Sequence, residues 1–416
     1  MIPDKPQCTV FTVCNLAYLP KALVLAESVW QYSAVRLTIV IFDRRPAQMN
    51  VATEAELRFI EECGIPDFSR LAFKYDIVEL STSLKPMLAL RFLETTEKVI
   101  FLDPDTCTYA PLTPILAALD AHPIVVTPHY TTPQTDHLGE SDVGMMRFGS
   151  FNLGFFAVRR EPETRAFLDW WSRRCLSLSF FETQFGLSTD QKWVTIAPAF
   201  FPGLHVSFDL GYNAAPWNTF ERRITHAADG TRVVNGAFSL IFFHFSNFDL
   251  SDPGYLKKRS FCDRDEVRLD VLELGNEYAA ALARNATPLS ATRYAFDYLS
   301  GGEYLSPTLR RAYAAIEPEL PPDSDPFDSA GIVAGFARRN HLFESRGAPR
   351  YVSNGFRDVK EHARTLALIY VLMRLVLRVV GPNRFYNLSR LLVYLSSYRQ
   401  NRGLWKFTPP AGSPRP

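Results

Sequence analysis

The chain has 416 residues, 47% of them apolar and 21% charged, with a formal net charge of +1. That length supports one large or two ordinary domains with a sizeable core, and so small a net charge points to no nucleic-acid partner. Cys8, Cys14, Cys63, Cys107, Cys175 and Cys262 are scattered without short paired spacing, which argues against a zinc ribbon or a disulfide framework and fits a reducing compartment.

From the N-terminus, Met1–Ile2–Pro3–Asp4–Lys5–Pro6 carries no apolar signal-peptide core. No apolar run reaches the roughly 18 residues that span a bilayer, so a cytoplasmic protein is expected. Cys8–Val13 reads as a strand and Asn15–Tyr18 as a turn. Pro20 starts a helix whose apolar face is Leu23, Val24, Ala26 and Val29. Leu37–Phe42 is a second strand, closed by Asp43–Pro46. Alternating strands and helices imply an α/β fold with a doubly wound, mostly parallel sheet. Ligands meet such sheets at the carboxyl ends of the strands. Asn15 and Tyr18 are therefore candidates, although a turn former and a packing aromatic account for them equally well. Ile77–Glu79 is expected as a short strand and Ser81–Leu93 as a helix. Lys85 near its start would attract phosphate, or be an ordinary surface lysine.

Lys98–Val99–Ile100–Phe101–Leu102 then runs straight into Asp103–Pro104–Asp105. The short branched and aromatic run reads as a buried parallel strand. Two carboxylates that close repel each other unless a cation neutralises them, and hard divalent ions prefer oxygen ligands. A bound metal diphosphate is one reading, and a turn or helix cap is another. A third is the first motif of the haloacid-dehalogenase-type phosphatases, which this stretch resembles. There the first Asp is a nucleophile, but the threonines Thr106 and Thr108 miss the expected place by one.

Pro111–Leu119 follows as a helix and Ile124–Thr127 as a strand. His129–Gly149 is a long polar loop without periodicity, expected to border an acceptor site. Phe151–Val158 is a strong strand in which Asn152 and Gly154 interrupt the apolar run. Pro162–Cys175 is a helix whose Phe167, Trp170 and Trp171 read as core. Thr189 would cap the next helix, with Asp190 an acid in its first turn. Gly211–Tyr212–Asn213 is turn-like. Ser239–Phe243 is a strand running into His244, a residue that either completes a metal site with the two carboxylates or is structural.

In this order, the stretches resemble the glycogenin-like retaining glycosyltransferases (glycosyltransferase family eight and close bacterial relatives) over roughly Cys8 to Ser260. The resemblance rests on Val10 to Tyr18 with Ala22–Leu23–Val24–Leu25, on Leu84–Lys85, and on Lys98 to Thr106. Phe151–Asn152–Leu153–Gly154, Thr189–Asp190–Gln191 and Phe243–His244–Phe245 complete it. It implies a GT-A-type nucleotide-diphospho-sugar transferase fold and transfer of a sugar, UDP-linked in the family, with retention of configuration. Asp103, Asp105 and His244 would hold Mn²⁺ or Mg²⁺. Thr12, Cys14, Asn15, Tyr18, Lys85, Asp103, Pro104, Asp105, Asn152, Gly154, Asp190 and Gln191 would bind the donor. Lys85, Asp190 and Gln191 would be the catalytic residues. The acceptor would be a glycan or a lipid-linked sugar of bacterial surface polysaccharide. The chain departs from the family in carrying Leu16 for an acidic residue, Asn247 for a glycine and Leu250 for a phosphate-binding lysine. Lys257, Lys258 or Arg259 would have to replace that charge. The altered segment after His244 also suits a catalytically silent nucleotide-sugar-binding or scaffold protein.

Residues 1–262 are thus expected to form the catalytic domain, 263–406 a mainly helical C-terminal region and 407–416 a disordered tail. Glu266–Arg284 and Leu309–Ile316 read as amphipathic helices, and proline- and acid-rich Glu317–Asp328 as a linker or long loop. His362–Val380 and Leu388–Tyr398 are strongly apolar but interrupted by arginine. From Glu361 onward nine basic residues face a single acid. Such helices suit peripheral contact with the inner face of an anionic membrane. They equally suit packing on the catalytic domain or in a homodimer.

Overall fold

A computed structural model describes residues 7–49, 51–133, 142–255, 268–343 and 363–408. The 262/263 boundary, Cys262, Lys257, Lys258, Arg259 and residues 409–416 of the expected tail lie outside them. Two compact units emerge. The first takes the chain up to Phe68 together with Ile77–Ala295, and the second Ser69–Asp76 with the chain from Phe296.

The first unit is built on a seven-stranded sheet. Its early strands are β1 (Cys8–Cys14), β2 (Leu37–Ile41), β3 (Glu56–Phe59) and β4 (Lys98–Leu102). β5 (Thr106–Thr108) leaves the sheet, and β6 (Ile124–Pro128) and β7 (Phe151–Arg159) re-enter it. A two-strand ribbon follows, β8 (Phe181–Glu182) with β9 (Leu187–Ser188), and then β10 (Leu204–Val206). The sheet order is β10-β6-β7-β4-β1-β2-β3. β1, β2, β3 and β4 run parallel, as do β6 and β10, while β7 is antiparallel to both neighbours. The expected α/β architecture with a mostly parallel sheet is therefore present. β11 (Ile224–His226), β12 (Arg232–Val234) and β13 (Phe238–Ser239) form an antiparallel sheet, and β14 (Phe242–His244) pairs with β5.

The helices of this first unit are α1 (Leu19–Ser33), α3 (Ile77–Leu93), α4 (Thr113–Ala121), α5 (Asp142–Phe148), α6 (Pro162–Leu178), α7 (Gln191–Val194) and α8 (Leu269–Arg284), while α2 (Phe68–Lys74) falls almost wholly in the second unit. α1 opens with Pro20 in its first turn and stops where Ala34 turns left-handed, at φ 51°. The central strands read as unbroken apolar runs because both faces are covered. Phe101 meets Phe11 and Phe156 at ring-centroid separations of 5.0 and 5.3 Å. Phe156 in turn meets Trp171 of α6 at 5.2 Å. Burying each such ring stabilises by about 2–3 kcal/mol.

Two expectations are corrected. Ile77–Glu79 is the first turn of α3, not a strand, since a three-residue apolar run does not discriminate strand from buried helix. Glu79 is wholly buried there, and its carboxylate accepts a 2.6 Å hydrogen bond from the Phe181 amide. Lys85 consequently lies two turns inside α3 and gains no helix N-terminus. The polar loop expected over His129–Gly149 contains α5.

The second unit is helical, with α9 (Pro307–Ile316), α10 (Ile332–Arg339), α11 (Ala363–Val380) and α12 (Pro382–Leu395). Ser306 caps α9 by accepting from the Leu309 amide. The buried Arg310 guanidinium donates to the carbonyls of Ala72, Phe73, Tyr75 and Phe296 and pairs with Asp297 at 2.7 Å. Phe73, Tyr313, Phe296 and Phe327 form the aromatic centre of this unit.

Candidate active site

β4 delivers Asp103 at its carboxyl end, where the Asp103 amide donates to the Gly154 carbonyl of β7 at 2.8 Å. The Thr106 hydroxyl and amide both donate back to the Asp103 carbonyl, at 2.7 and 3.1 Å, and so fix the turn through Pro104 and Asp105. β5 and β14 then pair with Thr106 opposite His244, and the Phe245 amide donates to the Asp105 carbonyl at 2.7 Å. That pairing brings His244 to the carboxylates from 139 residues further along the chain. Its Nε2 lies 3.1 Å from Asp105 Oδ1 and 3.8 Å from Asp103 Oδ2. One ligand atom from each of the three residues falls within 4.8 Å of the others. Burial would push the Asp105 carboxyl up, but the His244 imidazole and Lys21, whose Nζ is 3.9 Å away, hold it down at about 2.

Beside this trio sits a buried ion cluster. Lys85 Nζ is 3.0 Å from Asp103 Oδ1, 3.5 Å from Asp190 Oδ2 and 2.9 Å from the Leu153 carbonyl. Burial alone would lower the ammonium pKa; Asp103 and Asp190 outweigh it and raise it. Burial pushes the Asp190 carboxyl up, against the pull of Lys85. Thr189, left-handed at φ 50°, donates its hydroxyl to Asp190 Oδ1 at 3.1 Å, and Trp171 Nε1 anchors the Asp190 carbonyl at 3.1 Å. A β-branched residue in that conformation costs on the order of 1–3 kcal/mol.

An amide network ties the two groups to β7. The Asn213 carboxamide donates to Asn152 Oδ1 at 3.0 Å and Thr127 Oγ1 at 3.1 Å, and its oxygen lies 3.3 Å from His244 Nδ1. Asn152 Oδ1 also accepts from the Gly154 amide at 3.0 Å. A Cβ on Gly154 would come within 2.4 Å of His244 Cε1, so only glycine lets β7 pass this close to the ring.

Gln191 opens on a cavity of about 200 Å³, lined also by His129, Asn152, Trp217 and Ser246. Its Nε2 donates to the Phe148 carbonyl at 3.1 Å. Trp217 Nε1 and Asn218 Nδ2 both donate to the His129 carbonyl, at 2.9 and 3.0 Å. Burial lowers the His129 pKa to about 4.

The N-terminal candidates are more dispersed. Asn15 is buried and caps the following turn by accepting from the Tyr18 amide at 3.2 Å. Tyr18 is exposed, with the Lys21 ammonium 4.1 Å above its ring, so Lys21 links it to Asp105. Thr12 and Cys14 are buried in β1; the Thr12 hydroxyl has no hydrogen-bond partner among the described residues, and burial raises the Cys14 thiol. Pro104 sits half-buried between the two carboxylates. Sequence reasoning missed Lys21, His129 and Trp217 and saw Asn213 only as a turn residue. The available signals were the Gly211–Asn213 turn and the polar stretch that begins at His129.

The trio fits a hard divalent ion chemically. The two carboxylates suit a hard ion such as Mg²⁺ or Mn²⁺, and the imidazole nitrogen favours the transition ion Mn²⁺ of the two; a His244 that donates from Nδ1 to Asn213 would offer Nε2 to the ion on giving up the proton it directs at Asp105.

No protein-family model matches the chain. The uncharacterized protein YfnD of Bacillus subtilis (strain 168) is 28% identical over 196 residues, a match covering 46% of this chain and 60% of YfnD. The match thus spans under two thirds of the length of that curated relative. Among solved structures, the galactosyltransferase LgtC in complex with donor and acceptor sugar analogs is similar at 16% identity, over 67% of this chain and 97% of LgtC, with a TM-score of 0.39. The bifunctional glycosyltransferase WbbM is similar at 13% identity, over 70% of this chain and 51% of WbbM, with a TM-score of 0.40. The glycosyltransferase GlyE of Streptococcus pneumoniae TIGR4 is similar at 14% identity, over 67% of this chain and 63% of GlyE, with a TM-score of 0.37.

Proposed function

We propose that the chain is a metal-dependent glycosyltransferase of the GT-A type. It takes a sugar from a nucleotide-diphosphate donor, UDP-linked, and moves it to a glycan or lipid-linked acceptor of bacterial surface polysaccharide with retention of configuration. The observation that carries this reading is the convergence of Asp103, Asp105 and His244 at the carboxyl end of β4, beside the buried Lys85–Asp190 pair. Asp103, Asp105 and His244 hold Mn²⁺ or Mg²⁺, which when bound supplies Lewis-acid neutralisation of charge on the diphosphate.

The protein's own residues do the rest. Lys85 compensates Asp103 and Asp190 and keeps both carboxylates in place. Asn152 and Gln191 present carboxamides to the cavity where the donor sugar sits, and Trp217 offers an aromatic wall to it. Asp190, turned away towards Lys85, positions the segment that carries Gln191. Front-face attack then gives retention, with the departing phosphate oxygen accepting the acceptor hydroxyl proton.

Thermal unfolding with UDP, GDP and their sugar conjugates, with and without Mn²⁺, tests the reading, because a ligand that binds only the native state raises stability. A metal-dependent rise with one nucleotide series, absent in Asp105→Ala, supports it. No rise with any nucleotide, together with phosphate release from simple phosphate esters, would replace it by the phosphatase reading.

A further inference from the structure

α9 and α10 behave as helices of a packed unit, burying Leu309, Tyr313, Ile316, Val333 and Phe336. α11 and α12 do not. Every residue from 366 to 396 is at least partly exposed. On α11, Leu368, Leu372, Leu375 and Val379 recur at i, i+4, i+7 and i+11 and form one stripe, each more than half exposed at 52–77%. Leu388, Leu392 and Leu395 continue the apolar surface on α12, at 40–60% exposure. Contiguous exposed apolar surface of this extent marks an interaction site.

Charge identifies what covers it. Between Ala363 and Thr408 the sequence holds eight basic residues and no Asp or Glu. Arg374, Arg378, Arg384 and Arg390 are exposed, and none forms an ion pair with a described carboxylate. On a helical wheel Arg378 and Arg374 lie on one side of the Leu368–Val379 stripe, roughly 90° and 130° from its centre, where their long stems can lie along apolar surface while the guanidinium heads reach outward. Pairing this hairpin with a second copy would bring arginines together with no acid on either hairpin to neutralise them. An anionic surface satisfies both features at once, and the arginines that cut the apolar run of α11 favour a helix lying along the interface.

We infer that the α11–α12 hairpin docks the protein on an anionic lipid bilayer, apolar stripe inward and arginines at the phosphate level. This inference stands on the hairpin alone and is independent of the reaction catalysed.

Vesicle flotation of the full chain tests it, with phosphatidylcholine vesicles compared against phosphatidylcholine–phosphatidylglycerol vesicles. Binding is expected only to the mixed vesicles and should fall with added salt. Arg374→Gln and Arg378→Gln should each weaken it roughly fivefold, and the double variant Leu372→Glu/Leu375→Glu should abolish it while the circular-dichroism melt is retained. The salt titration on the unmodified chain decides the matter if a variant fails to fold. Three results would overturn the inference: no flotation of folded protein with anionic vesicles, equal binding to neutral ones, or indifference to vesicles alongside a dimer that Leu372→Glu/Leu375→Glu dissociates. The last would make a second copy the occupant.

Discussion

The Asn213 carboxamide oxygen lies 3.3 Å from Nδ1 of His244, while the same side chain donates to Asn152 and Thr127. One buried amide thus sets the tautomer of a candidate metal ligand and the orientation of a candidate donor-binding residue. Partners of this kind typically matter 10–100-fold in metal affinity. Asn213→Leu should weaken Mn²⁺ binding by roughly that factor, read by manganese paramagnetic resonance. Asn213→Asp keeps an acceptor for His244 and should retain most of the affinity, yet it loses the donor to Asn152. Nitrogen-15 histidine spectra of the Mg²⁺-loaded wild type should show His244 protonated at Nδ1 and unprotonated at Nε2, whereas the metal-free protein keeps a proton on Nε2 towards Asp105. An Nε2–H in the loaded protein would refute the arrangement.

Removal of any of the three converging ligands should be more severe. Asp103→Ala, Asp105→Ala and His244→Ala should each abolish sugar transfer and the Mn²⁺-dependent rise in melting temperature, as should chelation of metal from the wild type. Transfer at the wild-type rate in any of them would dissolve the metal assignment.

Lys85 is buried between two carboxylates, so its loss is a problem of uncompensated charge. Lys85→Ala should cost on the order of 3–5 kcal/mol in urea unfolding. Adding Asp190→Asn should recover part of it, because the remaining carboxylate, Asp103, is partly solvated. A double variant no more stable than the single one would show that the cluster does not act as a coupled unit.

Five of the seven strands of the main sheet were legible because fully covered strands leave unbroken apolar runs, whereas the short edge strands β3 and β10 leave none; the two carboxylates after Lys98–Leu102 were legible as a candidate site beside a turn or cap reading. Asn152 and Gly154 were legible as interruptions of such a run, and the reason is now visible in the 2.4 Å approach of a Gly154 Cβ to His244. Asn213, His129 and Trp217 were not. They lie in segments without periodicity, and their roles come from contacts 31 to 88 residues away, such as Asn213 to His244 and Trp217 to His129. Lys85 was legible as a residue but not as a buried one, since the start of α3 was read too late. The arginine-laced helices were legible in composition, but only the structure shows their apolar stripe unburied.

The Gly154 contact makes its own prediction. Gly154→Ala places a methyl 2.4 Å from His244 Cε1, so either β7 or the ring must shift. Overpacking of this kind costs typically ~1–3 kcal/mol. The displaced ring should also lose metal affinity while nucleotide-independent folding persists. An alanine variant with wild-type stability and Mn²⁺ affinity would mean the close approach of β7 to His244 is not a constraint.

His129 gives the pH dependence. Its folded pKa is depressed by burial to about 4, against an ordinary value of 6.5. The sign follows from the neutral ring being the form the fold tolerates. Its contribution is fully present above pH 6.5 and is lost as the pH falls through 4, because the unfolded chain takes up the proton first. The full shift corresponds to at most ~3 kcal/mol, and less with the ring only partly enclosed. Urea unfolding at pH 7.5 and pH 4.5 should therefore show a stability drop that His129→Gln removes in part. Asp105, held at about 2, is ionised at both of those pH values and adds little between them. A His129→Gln variant with an unchanged pH profile over this window would assign the acid sensitivity to other groups.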